Sequence, residues 1–161
     1  MHVPTVTGTN LSLFITETLR KWPNNVASDR VCTKPYTIEP SKPGEVPIHL
    51  EKGVTIFIPI YGLHHDYRYF PHPERFDPER FSDENKDKIV PYSYLPFGAG
   101  PRNCIGSRFA LLETKAVFFH LLSHFEIVPI SKTQIPLRIN KKSFSFISED
   151  GFWLGLKKLS L

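Results

Sequence analysis

One cysteine lies in a glycine-rich turn directly before a long apolar helix pattern. The ten residues from Phe97 to Gly106 read Phe-Gly-Ala-Gly-Pro-Arg-Asn-Cys-Ile-Gly. Unpaired backbone N–H groups and the helix dipole stabilise a thiolate at such a position. A thiolate beside apolar side chains and an arginine suits axial ligation of haem iron, with the guanidinium on a propionate. We therefore predict that Cys104 ligates haem and that Arg102 pairs with a carboxylate of the same group.

The glycines of this segment favour close approach of a flat ligand. Gly98 and Gly100 permit backbone conformations that other residues avoid, and Gly106 is expected to leave space where a side chain would collide. The alternative for a lone cysteine is a buried structural thiol. A disulfide to Cys32 is not expected without an oxidising compartment, and no Cys-x-x-Cys pair supplies the ligands of a zinc site.

The pattern Phe-x-x-Gly-x-Arg-x-Cys-x-Gly resembles the cysteine-ligand loop of the cytochrome P450 family of haem-thiolate monooxygenases. Upstream, Glu17-Thr18-Leu19-Arg20 is similar to the Glu-x-x-Arg motif of that family. Such a pair on a helix is usually a surface ion pair of little worth. Together with Arg80 in the segment 76–81, however, it resembles the buried Glu-Arg-Arg lock of the family. That lock holds an irregular loop against the helix and supports the haem pocket.

The resemblance runs from about Phe14 to Leu156 and is strongest for insect microsomal members. It implies that Arg30 is a second propionate ligand, and a strand-end arginine that faces water is an equal alternative. It also implies that Phe97 packs against the thiolate side of the haem, although a core aromatic residue explains Phe97 as well. The expected cofactor-binding set is Cys104, Arg102, Phe97, Gly98, Gly100, Gly106 and Arg30.

The activity that the resemblance implies is the NADPH- and O2-dependent oxidation of lipophilic small molecules such as xenobiotics. The cofactor would be haem b, the electron donor NADPH-cytochrome reductase, and the location the cytoplasmic face of the endoplasmic reticulum membrane. The cationic face near Arg102, Arg108 and Lys115 is a candidate docking patch for the reductase, with an ordinary solvated helix face as the alternative. One alternative is a non-catalytic haem-binding remnant, and another is an α+β interaction domain without a cofactor.

Two helices are expected to position these residues. The first spans Leu11 to Trp22, with Thr9 or Asn10 as its cap and Pro23 as its stop. The second starts near Ile105 and continues towards Leu122, with an apolar stripe typical of an amphipathic helix whose stripe faces the core. The members of this stripe are Ile105, Phe109, Leu112, Ala116, Phe119 and Leu122.

The segments between and after the helices favour short strands and one long loop. Strands are predicted over Val31 to Ile38 and over Val54 to Ile60, where Pro59 marks an end or an edge. From His64 to Asn103 prolines, charges and aromatics alternate, which predicts an irregular but packed loop. Short antiparallel strands are predicted beyond the second helix, with Asp150-Gly151 as a hairpin turn. Their alternating apolar residues are Ile135, Leu137, Ile139, Phe144, Phe146, Phe152, Leu154 and Leu156.

The predicted fold class is α+β, because helices and strands are segregated rather than alternating. The resemblance implies a C-terminal part of the cytochrome P450 fold, with 1–161 as one partial domain whose distal helix and membrane anchor lie outside it. The net charge is +4, and the basic residues do not cluster along the sequence. A nucleic-acid partner is therefore not expected. The segment His64-His65-Asp66 has two interpretations, a metal site or ordinary surface histidines, and we favour surface histidines.

Overall fold

A computed structural model describes residues 8–140 and 145–159 of the chain. Helix α1 runs from Gly8 to Lys21 and begins before Thr9 and Asn10, so neither is the cap that the sequence suggested. It ends where predicted, because Pro23 cannot continue the hydrogen-bond ladder. The buried face of α1 carries Leu11 and Ile15, each 9% exposed.

Four short strands follow and form two antiparallel pairs. Strand β1 (Ser28–Val31) pairs with β4 (Thr55–Ile58), and β2 (Tyr36–Ile38) pairs with β3 (Ile48–Leu50). The single strand predicted over residues 31–38 is therefore wrong: two strands occupy that stretch, separated by residues 32–35. Strand β4 shows the predicted alternation and ends before Pro59.

The long segment after β4 is irregular and packed, as the sequence predicted. It opens with the short helix α2 (Ile60–His64) and contains three 3-10 turns, Pro78–Phe81, Lys86–Lys88 and Gly100–Arg102. Buried apolar side chains along it are Ile60, Phe70 and Leu95. The first of these turns packs on α1, which brings the segment back to the helix.

Helix α3 spans Ser107–His124 and continues directly into strand β5 (Phe125–Val128), which pairs antiparallel with β6 (Gly155–Lys158). Most of the stripe expected to face the core is exposed instead: Ile105 is 103%, Phe109 69% and Phe119 61% accessible, whereas Leu122 of the same stripe is half-buried. Apolar residues occur on nearly every side of α3, so their spacing does not select one buried face. The side turned towards α1 carries Ala110, Leu111, Thr114, Phe118 and Leu122.

The predicted C-terminal hairpins are largely replaced by the β5–β6 pair. One isolated bridge joins Ile139 to Ser148. Gly151 takes a positive φ of 84°, but within the described residues no pair of strands flanks Asp150-Gly151, so the predicted hairpin turn is wrong. Phe144 lies outside the described residues. Within residues 8–140 and 145–159 no helix combines the length and apolar composition that a bilayer crossing requires. Over these described residues, three two-stranded sheets stand beside the helices and confirm the α+β class.

Candidate functional site

The cysteine loop is a short 3-10 turn followed by an extended approach to α3. The backbone N–H of Cys104 donates to the carbonyl of Phe97 at 2.8 Å, and Asn103 N donates to Gly100 O at 3.1 Å. Gly98 and Gly100 have φ values of 74° and 72°, a region that L side chains rarely adopt. Both glycines thus take backbone conformations that other residues avoid, as the sequence predicted, and this lets the loop close through the Cys104–Phe97 hydrogen bond.

The thiol of Cys104 is free and exposed, three residues ahead of the first helical residue, Ser107. The N-terminal flanking residue of α3, Gly106, has no side chain that could cap the helix, and its φ of −88° is ordinary. Cys104 is thus close to the positive end of an 18-residue helix. Cys32 is also free and half-buried.

Open space surrounds two glycines of the loop, Gly100 and Gly106. A Cβ at Gly100 or Gly106 would meet no heavy atom within 4 Å. A side chain at Gly106 would therefore not collide with the described residues. The φ of Gly106 is also one that any residue adopts, so the backbone conformation does not require glycine there. An exposed thiol, a bare backbone at Gly106 and the accessible side chains of Ile105 and Phe109 form a donor set and surface that fit a flat apolar group such as haem.

The two arginines expected on propionates stand in different surroundings. Arg102 ends the 3-10 turn of the loop, is exposed and makes no ion pair with the part of the chain that the structure describes. Arg30 lies on β1, where its Nη1 donates to Ser28 Oγ at 2.9 Å and to Asp29 O at 2.6 Å. The side-chain hydrogen bonds of Arg30 therefore stay within its own strand, and the structure does not join it to the cysteine loop.

An apolar cleft of about 430 Å³ lies between α1 and α3. Phe97 lines it, so the cleft borders the cysteine loop. The other lining residues near this helix pair include Phe14, Ile15, Leu111 and Phe118. Its volume lies in the range of roughly 300–1,000 Å³ that small-molecule sites occupy.

The acidic and basic residues of the expected lock are brought together in the interior. Glu17 and Arg20 are both 0% exposed, and two parallel bonds join them: Arg20 Nε to Glu17 Oε2 at 2.7 Å and Arg20 Nη2 to Oε1 at 2.9 Å. The same guanidinium donates to the carbonyls of His64 and Pro73, each at 2.8 Å. Since two of its acceptors lie on the irregular segment, Arg20 fastens that segment to α1.

The third member, Arg80, contacts the carboxylate less closely. Its Nε is 3.8 Å from Glu17 Oε1, which is an ion pair but too long for a hydrogen bond. This buried nitrogen finds no hydrogen-bond partner within the described residues, while Nη2 donates to His72 O at 3.0 Å. The backbone N–H of Asp77 forms the closer contact with Glu17, since it donates to Oε1 at 2.9 Å.

His64 is the residue that the sequence analysis misplaced. It was favoured as a surface histidine, with a metal site as the alternative, but its side chain is 0% exposed. Leu95 N donates to His64 Nε2 at 2.7 Å, and Nδ1 lies 3.1 Å from Arg20 O. Both ring nitrogens are thus engaged with backbone groups. Burial lowers the pKa of His64 from 6.5 to about 4 and so keeps the ring neutral.

Tyr94 makes a second attachment that the sequence did not reveal. Its hydroxyl donates to Thr16 O on α1 at 2.9 Å, and its ring stacks on that of His64 with centroids 5.2 Å apart. Burial raises the pKa of the Tyr94 phenol above its usual range. The burial of His64, in contrast, had one signal in the sequence. Ile60 and His64 are four residues apart, so in a helix they share one face, and the apolar Ile60 favours a buried one.

Comparison with known proteins assigns the family. The cytochrome P450 family model matches residues 10–154. Over 148 residues the chain is 52% identical to cytochrome P450 9e2 of Blattella germanica, covering 92% of this chain and 27% of that protein. It is 47% identical over 146 residues to probable cytochrome P450 9f2 of Drosophila melanogaster, covering 91% and 28%.

A mammalian relative shows the same relation. Cytochrome P450 3A16 of Mus musculus is 47% identical over 132 residues, which cover 82% of this chain and 25% of that protein. The chain therefore spans about a quarter of the length of these curated relatives. The resemblance identified from the sequence is confirmed, insect members included: this chain belongs to the cytochrome P450 family.

Proposed function

We propose that this chain is the haem-ligating part of a haem-thiolate monooxygenase that oxidises lipophilic small molecules. Cys104 would hold haem b through its thiolate, and Arg102 would pair with a propionate. When bound, the haem supplies the oxygen chemistry, in which one atom of O2 enters the substrate and the other leaves as water, with two electrons from NADPH. The family membership supports this class of reaction.

The observation that carries the proposal is the open surface around the exposed Cys104 thiol. A structural thiol would be packed among its neighbours, whereas this one stands beside Gly106, whose missing side chain leaves unfilled space. The nearby Ile105 and Phe109 offer apolar contacts to a porphyrin face. The apolar cleft bordered by Phe97 would supply further contacts, either for the ring or for a lipophilic substrate.

The residues of the chain have separate tasks in this proposal. The turn at Gly98 and Gly100 would fix the direction of the thiolate, and the helix dipole of α3 would stabilise its negative charge. Glu17, Arg20 and Arg80 would hold the irregular segment in place and so support the loop from behind. Arg30 would need to leave its contacts on β1 to reach a propionate.

Electron supply and location follow from the family. The donor would be NADPH-cytochrome reductase, and the exposed Arg102 and Arg108 with the half-buried Lys115 would offer it a basic docking surface. The protein would act at the cytoplasmic face of the endoplasmic reticulum membrane. The xenobiotic character of the substrates is part of the same proposal.

A turnover experiment tests the function. The chain replaces the matching segment of cytochrome P450 9e2 of Blattella germanica, and the chimera is assayed with reductase, NADPH and 7-ethoxycoumarin. We expect O-dealkylation above the background of the Cys104→Ala chimera, at a rate that depends on both NADPH and reductase. The Cys32→Ala chimera serves as the matched control, since Cys32 directly follows β1, is half-buried, and donates its thiol to Lys34 O rather than lying in the cysteine loop.

The outcome distinguishes the two haem-based functions. Haem uptake without product from a panel of lipophilic substrates, while the parent enzyme remains active, would favour the non-catalytic haem-binding alternative. Equal product from the Cys104→Ala and unmodified chimeras would contradict the role of the thiolate.

A further inference from the structure

His64 connects helix α1 to the segment that leads into the cysteine loop. It is fully buried at the end of α2, 31 residues before Leu95 and 40 residues before Cys104 in the sequence. Its ring spans two backbone groups from different parts of the chain, Arg20 O and Leu95 N. A side chain in this position can fix the distance between α1 and the loop segment.

The hydrogen-bond partners determine the tautomer of the ring. A backbone N–H can only donate, so His64 Nε2 must accept from Leu95 N. In a neutral imidazole the other nitrogen then carries the proton, and Nδ1 donates to Arg20 O. Both backbone groups are satisfied only in this tautomer, and protonation of Nε2 would remove the acceptor of Leu95.

A short series of backbone bonds continues from Leu95 to the cysteine. The carbonyl of Leu95 accepts from Gly98 N at 3.1 Å, and the carbonyl of Phe97 accepts from Cys104 N at 2.8 Å. Leu95 is buried, with 8% of its surface exposed, so its N–H has no ready access to water. Loss of the His64 acceptor would leave this N–H unsatisfied and loosen the first residue of the turn.

We propose that His64 is a positioning residue for the cysteine loop, which it holds in register with α1 by accepting the hydrogen bond of Leu95 N. This role rests on the proposed haem ligation by Cys104 but concerns the shape of the loop with or without the cofactor. It gives the imidazole a task separate from the Glu17–Arg20 ion pair, because it acts through Nε2 rather than through the charged groups.

Two substitutions separate the two nitrogens of the ring. His64→Gln places its Oε1 where Nε2 stands and retains an acceptor for Leu95. His64→Asn places its amide where Nδ1 stands, so it retains the donor to Arg20 O but cannot reach Leu95. His65→Gln is the matched control, since among the described residues the neighbouring ring contacts Tyr61, through its carbonyl and its ring, within its own helix turn and reaches neither α1 nor Leu95.

Hydrogen exchange of the haem-free chimera is the first readout. In His64→Asn, we expect the amides of Leu95, Gly98 and Cys104 to exchange roughly 10- to 100-fold faster than in the unmodified chimera. In His64→Gln they should stay within about threefold. Faster exchange across the whole chain in both variants would show a general structural role and overturn the proposal.

The ferrous carbon-monoxide spectrum of the haem-loaded variants is the second readout. We expect His64→Gln and His65→Gln to keep the long-wavelength band of a thiolate-ligated haem, and His64→Asn to lose part of it to a shorter-wavelength band. Equal bands in the two His64 variants would overturn the proposal. Absence of the thiolate band from the unmodified chimera would instead contradict the proposed function and leave the exchange result to decide the role of His64.

A measurement on the unmodified protein covers the case in which His64→Asn does not fold. Nitrogen chemical shifts of a 15N-histidine-labelled chimera report which ring nitrogen is protonated. We expect His64 to be neutral and protonated on Nδ1 between pH 5 and 8. A ring protonated on Nε2 could not accept from Leu95 and would overturn the proposal without any variant.

Discussion

Replacement of Arg20 by alanine is expected to destabilise the protein more than any comparable change at a surface ion pair. The side chain has no exposed surface and donates to both oxygens of Glu17 and to the carbonyls of His64 and Pro73. Without it, Glu17 is a buried carboxylate whose remaining partners among the described residues are the N–H of Asp77 at 2.9 Å and Arg80 at 3.8 Å.

The size of the effect follows from what remains behind. Removal of one partner of a buried ion pair costs about 3–5 kcal/mol, because an uncompensated charge stays in the interior. Each carbonyl that loses its donor adds about 1 kcal/mol, although these terms overlap. We therefore expect a loss of about 4–5 kcal/mol, which is a large part of the roughly 5–15 kcal/mol that stabilises a typical folded protein.

The assay is pulse proteolysis of the chimera in increasing urea, with Arg68→Ala as the control. Arg68 pairs with Asp66 two residues away, but its side chain is 67% exposed, so the urea midpoint of this variant should stay near that of the unmodified protein. A double Glu17→Leu and Arg20→Leu variant should recover part of the loss, since it removes the buried carboxylate that Arg20→Ala leaves behind. The recovery should be incomplete, because Arg80 loses its ion-pair partner at 3.8 Å. Equal midpoints for Arg20→Ala and Arg68→Ala would contradict this account of the buried lock.

Two further outcomes are expected. Gly106→Ala should leave the urea midpoint unchanged, because the added Cβ meets no atom within 4 Å, but it should lower haem uptake. Gly155→Ala is the contrasting variant and should lower the urea midpoint, because its Cβ would stand 2.7 Å from Ile130 Cγ2. Equal haem uptake by Gly106→Ala and the unmodified chimera would contradict the fit of the group at this glycine. The stability should also fall as the pH is lowered from 6.5 towards 4, by on the order of 2–3 kcal/mol. The folded His64 has its pKa lowered to about 4 by burial, so the unfolded chain binds more protons in this window, while above pH 6.5 the contribution is constant. A His64→Gln variant with the same pH dependence would show that another group is responsible.

Local patterns predicted the elements that depend on short-range physics. Pro23 and Pro59 stop α1 and β4 because a proline lacks the N–H that either structure requires. The glycines at positions 98 and 100 predicted unusual backbone conformations, and Gly98 and Gly100 do take positive φ values. The packed character of residues 64–103 followed from its aromatic content, which a solvated linker would lack.

Tertiary packing decided the features that the sequence did not predict. Helix α3 carries apolar residues on most of its sides, so spacing alone could not tell that Ala110 and Leu111 face α1 while Ile105 and Phe109 stay exposed. A histidine can lie at the surface or in the interior. His64 can be buried because Arg20 O and Leu95 N, which are distant in sequence, bind its two ring nitrogens. Likewise, the bond from Tyr94 to Thr16 joins residues 78 positions apart, which no local pattern encodes.

The central claim is that the sulfur of Cys104 ligates haem iron. Its most direct test is the ferrous carbon-monoxide difference spectrum of the haem-loaded chimera, compared with Cys104→Ala and with Cys32→Ala. We predict the long-wavelength band of a thiolate-ligated haem in the unmodified and Cys32→Ala proteins, and its loss in Cys104→Ala. The same band in all three proteins, or its loss only in Cys32→Ala, would contradict the claim.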